Sequence, residues 1–181
     1  HLLATAGHAV QHLVFVMAGN KINKNKHKLA AKTNCSFHFH PLSKGESFTH
    51  GCNSLLDSIG SDFLAFVNGD ATFQKPYWLQ ALLEYGQFDN IGMVGGRVQY
   101  SSCDKHEIEP IPDYAHSPAA YYAAYLSSCS VLQNGLHCPQ QVLSVAPELC
   151  MVRTELLRSV GPFNGEQFPL LFSIHDFCYR L

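Results

Sequence analysis

The stretch from Asp62 to Trp78 constrains this chain most. Phe63-Leu-Ala-Phe-Val67 is an unbroken apolar run of strand length, the pattern of a strand buried on both faces. Asn68-Gly69-Asp70 follows at once, which sets an amide and a carboxylate at the strand's C-terminal end. Pro76 then opens a helical pattern through Trp78, Leu79, Leu82 and Leu83, with Pro where a missing N–H costs little. Strand, polar turn and helix in succession are the unit of α/β sheets. Such sheets take ligands outside the carboxyl ends of their strands. Asn-Gly-Asp reads in two ways. It is an ordinary turn sequence, and it is also an oxygen-donor set for a hard cation that keeps waters and substrate phosphates in its shell.

The rest of the chain alternates in the same manner. Leu2–Val10 has the pattern of a helix tail, and Leu13–Met17 that of a buried strand closed by Ala18-Gly19-Asn20. Lys21–Lys32 is a polar loop running into a short helix, and Ser36–His40 is a strand alternating Phe with His. A loop over Pro41–Glu46 leads to a helix over Ser47–Ile59, ended by Gly60. After the Trp78 helix comes the turn Asp89-Asn90, then a long strand over Ile91–Tyr100, where Gly95-Gly96 marks a bend or a close backbone approach. Strand returns over Leu143–Val152, helix over Glu155–Val160, and a last helix starts at Asp176. Strand–helix alternation predicts an α/β sheet with helices on both faces. A chain of 181 residues fits one domain with a substantial core.

Several of these segments resemble family-two glycosyltransferases. FVNGDATFQKPYWLQALL is similar to the segment of that family that carries its Asp-x-Asp-type metal motif, often Asn-x-Asp, ahead of a Trp-Leu helix. Ile91-Gly-Met-Val-Gly-Gly-Arg-Val98 resembles the family's next strand. Leu149-Cys-Met-Val-Arg153 with Val160-Gly-Pro-Phe163 resembles its acceptor-side strand, helix and Gly-Phe turn. Asp176-Phe-Cys-Tyr-Arg-Leu181 resembles the end of its acceptor-site helix, and Phe48–Ile59 the helix before the metal strand, with Asn53 on a matching position.

The resemblance implies a single three-layer nucleotide-diphospho-sugar transferase-like (GT-A) sheet over residues 1–181, with 101–142 as the region that varies with the acceptor. It implies inverting transfer of a sugar from a nucleotide-diphosphate donor to a glycan or other hydroxyl acceptor. Asp70 is then the metal ligand for Mg²⁺ or Mn²⁺, and Asn53, Asn68, Trp78 and Arg97 are substrate-binding residues. Three departures accompany the match. A further strand and helix normally precede Leu13–Met17, so either the chain, which opens at His1 without Met, is a truncated or excised segment of a larger one or the fold has lost that strand. The uracil-contacting Asp that often ends the second strand falls on Met17. The Glu-Asp pair that supplies the general base falls on Ser173 and Ile174, neither of which takes a proton usefully at neutral pH. The replacement bases are Asp176, His175 and Glu148, the last of which reads equally as a strand-start surface residue. The segment alone is therefore expected to be a slow catalyst or none. The alternative is a non-catalytic domain of the same fold that binds a sugar, a nucleotide or a partner domain.

Composition narrows the remaining classes. Apolar residues make up 46% and charged residues 14%, which is globular rather than disordered. A net charge of −2 gives no electrostatic footprint for nucleic acid. The basic stretch Lys21, Lys24, Lys26, Lys28, Lys32 is a solvated loop or a contact for phosphate or anionic lipid, the latter at the inner membrane. Seven cysteines at wide spacings without Cys-x-x-Cys form neither a disulfide framework nor a zinc ribbon. Reduced, buried thiols in a cytosolic protein are expected. No apolar run approaches a membrane span, and no signal peptide is visible. Tyr114, Tyr121, Tyr122 and Tyr125 pack at helical spacing or face the acceptor. His38 and His40 share one strand face, where two imidazoles could bind a transition metal but no third ligand follows by spacing.

Overall fold

The computed structural model describes residues 6, 10–18, 35–69, 71–73, 75–96, 139, 141–142, 144–168 and 172–181. The predicted features at Asp70, Arg97, Lys21–Lys32, 101–138, Cys103, Cys129 and Cys138 lie outside the described residues, as does most of the Leu2–Val10 segment. The chain is mixed α/β, with two small sheets and helices packed on them among the described residues. β1 (His12–Ala18) and β2 (Ser36–Leu42) pair in parallel, His12 opposite Ser36 and Ala18 opposite Leu42. The second sheet has the order β3 (Phe63–Val67), β5 (Leu149–Arg153), β4 (Met93–Gly95). β5 runs antiparallel to both neighbours, so β3 and β4 point the same way and both end at the edge where β5 begins.

Side-chain alternation along β5 sorts the layers. Cys150 and Val152 face a core completed by Cys52 and Leu56 of the α1 region, Leu157 of α3, Phe163, and Ile174 and Phe177 of α4. Here α1 is Phe48–Leu55, α3 is Thr154–Val160 and α4 is Ser173–Arg180. Phe66, Phe163 and Phe177 meet edge to face in sequence, each pair 5.4 Å between ring centres. Met151, on the opposite face, meets α2 (Trp78–Gly86). A Cβ added at Gly86 would stand 2.5 Å from Met151 Cε and 3.6 Å from both Phe63 and Val94. The absent side chain lets α2 lie close on that face. Helices thus cover both faces of the three-stranded sheet.

Four local expectations need correction. Phe63–Val67 is a strand, but it is only part-buried and Ala65 is exposed. α2 starts at Trp78 rather than at Pro76, because Tyr77 holds a left-handed backbone, φ 65°, which helical propagation cannot pass through. Its first free N–H groups, of Leu79 and Gln80, donate to the carbonyl of Ala6, 3.2 Å each, in place of a side-chain cap. β5 begins at Leu149, not Leu143, since Pro147 lacks an N–H for the ladder. β2, conversely, runs on through Pro41 and Leu42, which the sequence assigns to a loop.

Polar side chains pin the turns between these elements. Arg153 donates to the carbonyls of Phe88, Asp89 and Ile91, and to Asp89 Oδ1 at 3.3 Å. Thr154 donates to Ser61 O at 2.6 Å, and Arg158 to Ile59 O at 2.7 Å. Both ends of β3's approach are thereby fixed to α3.

Candidate functional site

The strand ends converge at one edge of the second sheet. The backbone N–H of Asn68, one residue past β3, donates to the carbonyl of Glu148, one residue before β5, at 2.9 Å. Gly96, one residue past β4, donates to Leu149 O at 2.9 Å. The turn after β3 is closed by Ala71 N donating to Asn68 O at 3.0 Å. Asn68 and Gly69 are exposed and Glu148 is half-buried. Two positions far apart in sequence, the candidate metal turn and one candidate base, are neighbours here.

Behind this edge lies an unusual polar interior. His175, in the first turn of α4, is 5% exposed, and Ser144 is 2% exposed. Among the described residues, neither ring nitrogen of His175 and no group for Ser144 Oγ has a hydrogen-bond partner. Burial lowers the His175 pKa, and the charge of Glu148 pulls part of it back up, so carboxylate and imidazole feel one another. The imidazole is therefore held neutral, with a lone pair on one nitrogen. Phe172 meets the His175 ring edge-on at 5.7 Å. Cys150 and Cys178 adjoin the same volume: burial raises both thiols, and Glu148 raises Cys150 further.

The other expected site residues are engaged in holding the fold. Asn53 uses its side-chain amide on the backbone of Phe163, donating from Nδ2 to the carbonyl at 2.7 Å and accepting from the N–H at 3.0 Å. Asp176 accepts from Arg180 Nε at 2.9 Å, one helical turn on. Arg180 also donates to Val160 O and Pro162 O, at 3.2 and 3.0 Å, so the pair closes the loop before α4. Ser173 and Ile174 are turned inward, 9% and 6% exposed. Thr49 donates to Ser173 Oγ at 3.4 Å, and Ile174 is part of the core. Trp78 is half-buried and stacks on Phe73, 4.4 Å between ring centres. Asp70 and Arg97 fall outside the described residues, next to Gly69 and Gly96.

Among the described residues no group of three His, Cys, Asp or Glu side chains is placed to hold a metal ion. A cation carried on a diphosphate needs only one or two protein carboxylates, and Asn68 is exposed at the strand end. Among the described residues Cys35, Cys52, Cys150 and Cys178 are free thiols. No helix among the described residues is long and apolar enough to cross a membrane. Sequence reasoning missed Ser144, which lies in a stretch that reads as strand, and the pairing of His12 with His38, whose signal is visible only once the two strands are in register.

No protein-family model matches this sequence, and neither a curated protein nor a solved structure is detectably similar to it.

Proposed function

We propose that this chain is a glycosyltransferase-like domain of the GT-A kind, which transfers a sugar from a nucleotide-diphosphate donor to a hydroxyl acceptor with inversion. The observation that supports the reading is the Asn68–Glu148 contact. It brings the turn that resembles the family's metal motif beside the backbone of Glu148, the residue before the acceptor-side strand, at the carboxyl ends of β3 and β4, where open sheets bind ligands. In this reading Asp70 and the Asn68 amide hold Mg²⁺ or Mn²⁺ against the donor's diphosphate. The cation supplies neutralisation of charge on the leaving group.

Glu148 is the group that takes the acceptor's proton. Asp176 is already engaged, its carboxylate accepting from Arg180 Nε one helical turn on. His175 is too buried to touch an acceptor. A well-placed base contributes about 10²–10⁴-fold in rate, so Glu148→Gln is expected to lose transfer while retaining donor binding.

A second reading is favoured by Asn53 and Asp176, both spent on backbone or ion-pair contacts. It is a non-catalytic domain of the same fold that binds a nucleotide sugar or a partner domain. One experiment separates the two. Thermal denaturation is followed with a panel of nucleotide-diphospho-sugars, with Mn²⁺ and with EDTA, on the wild type and Asp70→Asn. A donor at a hundred times its dissociation constant stabilises by about 2.7 kcal/mol. A shift that requires both Mn²⁺ and Asp70, with turnover on pooled hydroxyl acceptors, supports the enzyme. The same shift without turnover supports the binding module. No shift for any donor, or an equal one in EDTA, refutes the metal-dependent transferase.

A further inference from the structure

The parallel pair β1–β2 brings two histidines together that lie 26 residues apart in sequence. His12 stands opposite Ser36, and His38 opposite Val14, so the two imidazoles sit diagonally on one face of the pair. His12 Nδ1 and His38 Nε2 are 3.4 Å apart, with ring centres 5.5 Å apart and planes tilted by 44°. α1 covers the other end of this face. At Gly51 an added Cβ would stand 3.2 Å from Val16 and 3.4 Å from His40. The His12–His38 end is exposed, open to a solute from water.

The spacing suits a shared ligand better than a direct bond. Good N–H···N contacts fall at roughly 2.7–3.2 Å by analogy with other protein hydrogen bonds, so 3.4 Å is a weak one. Two imidazole nitrogens each about 2.0–2.1 Å from a tetrahedral cation stand about 3.3–3.4 Å apart. The square or octahedral edge is about 2.8–3.0 Å for the same bond lengths. Both lone pairs can point inward if the outer nitrogens, His12 Nε2 and His38 Nδ1, carry the protons. His40, on the same face, is already directed elsewhere: its Nε2 is 3.3 Å from Ser54 Oγ and 3.8 Å from Glu46.

We infer that His12 and His38 form a two-imidazole site for a divalent cation that accepts tetrahedral nitrogen ligands, Zn²⁺ in the first instance, with water completing its shell. The cation clips β1 to β2 and is independent of the strand-end site of the other sheet. Imidazole suits Zn²⁺, and Mg²⁺ prefers carboxylate, carbonyl and water, so the two sites differ in metal.

The test is calorimetric titration of the 181-residue chain with Zn²⁺, after accessible thiols are blocked with N-ethylmaleimide. Wild type is compared with His12→Gln, His38→Gln and His40→Gln, all checked for unchanged circular dichroism. The expected result is one binding event per chain that weakens at least tenfold in His12→Gln and equally in His38→Gln, and persists in His40→Gln. A Zn²⁺-dependent rise in melting temperature should vanish in the same two variants. Mg²⁺ should produce neither effect. Equal affinity in wild type and either variant, or loss in His40→Gln as well, would overturn the assignment.

Discussion

Asn53 offers the cleanest separation of a structural residue from a binding one. Its side chain sits between α1 and the Phe163 backbone, with bonds of 2.7 and 3.0 Å, and Phe163 is 3% exposed. In Asn53→Ala the Phe163 N–H loses its partner in a buried place, which costs about 1–3 kcal/mol. The Phe163 carbonyl keeps the N–H of Gly165 at 2.9 Å and loses only a second bond, about 0.5–1.5 kcal/mol. The variant should therefore be less stable by about 2–4 kcal/mol. For a chain of this size, each kcal/mol moves the melting temperature by about 2–4 °C, so the drop should be roughly 5–15 °C. Asn53→Asp should fall at least as far, since it turns a carboxylate oxygen toward the Phe163 carbonyl. Ser54→Ala, at the exposed neighbour, should stay within about 0.5 kcal/mol of wild type. Differential scanning calorimetry reads all three. If Asn53→Ala melts within about 2 °C of wild type but loses donor-induced stabilisation, the amide is a binding group and this reasoning fails.

Two further outcomes follow from the interior behind the strand ends. His175 is buried with its pKa lowered below the ordinary 6.5, so the unfolded chain binds a proton more readily than the native one, and stability is full above pH 6.5 and falls as pH drops from there toward the native value. His175→Phe, which removes the unpartnered nitrogens, should flatten that part of the pH–stability curve from chemical denaturation; an unchanged slope between pH 7 and 5 would show that the imidazole is not kept neutral. The thiols should sort by burial: Cys52, pushed up to about 12, and the fully buried Cys150 should resist iodoacetamide at pH 8 until the chain unfolds, while the half-exposed Cys35 reacts first. Mass mapping that finds Cys150 labelled as fast as Cys35 would contradict the packing around β5.

What the sequence makes legible is what periodicity carries. The run Phe63–Val67 is a strand at the expected bounds, and the helices at Phe48, Trp78 and Thr154 lie within a few residues of expectation. Direction is not carried by periodicity: an apolar run such as Leu149–Arg153 reads alike whichever way it runs, and only pairing shows β5 antiparallel between two parallel neighbours. That reversal is what places Glu148 beside Asn68, because an antiparallel β5 begins where β3 ends. The roles of polar side chains were equally hidden. Asn53 and Asp176 look like site residues on a one-dimensional pattern, yet each closes a contact to a backbone group or an ion pair whose partner is fixed by the tertiary fold.

The first turn of α4 shows why the base cannot be read from spacing. A helix packed on a sheet buries a stripe, and here the stripe includes Ser173, Ile174 and Phe177, with His175 carried in beside them. Three successive buried positions, 173 to 175, leave Asp176 as the acidic group of that turn, and Arg180 holds it. In the proposed reading, a proton acceptor for a ligand at the strand ends therefore comes from a neighbouring element rather than from this helix. Glu148 stands at that edge, one residue before the strand between β3 and β4, with its charge felt by the imidazole behind it. In that reading the helix supplies the buried backing, and the residue before β5 supplies the carboxylate.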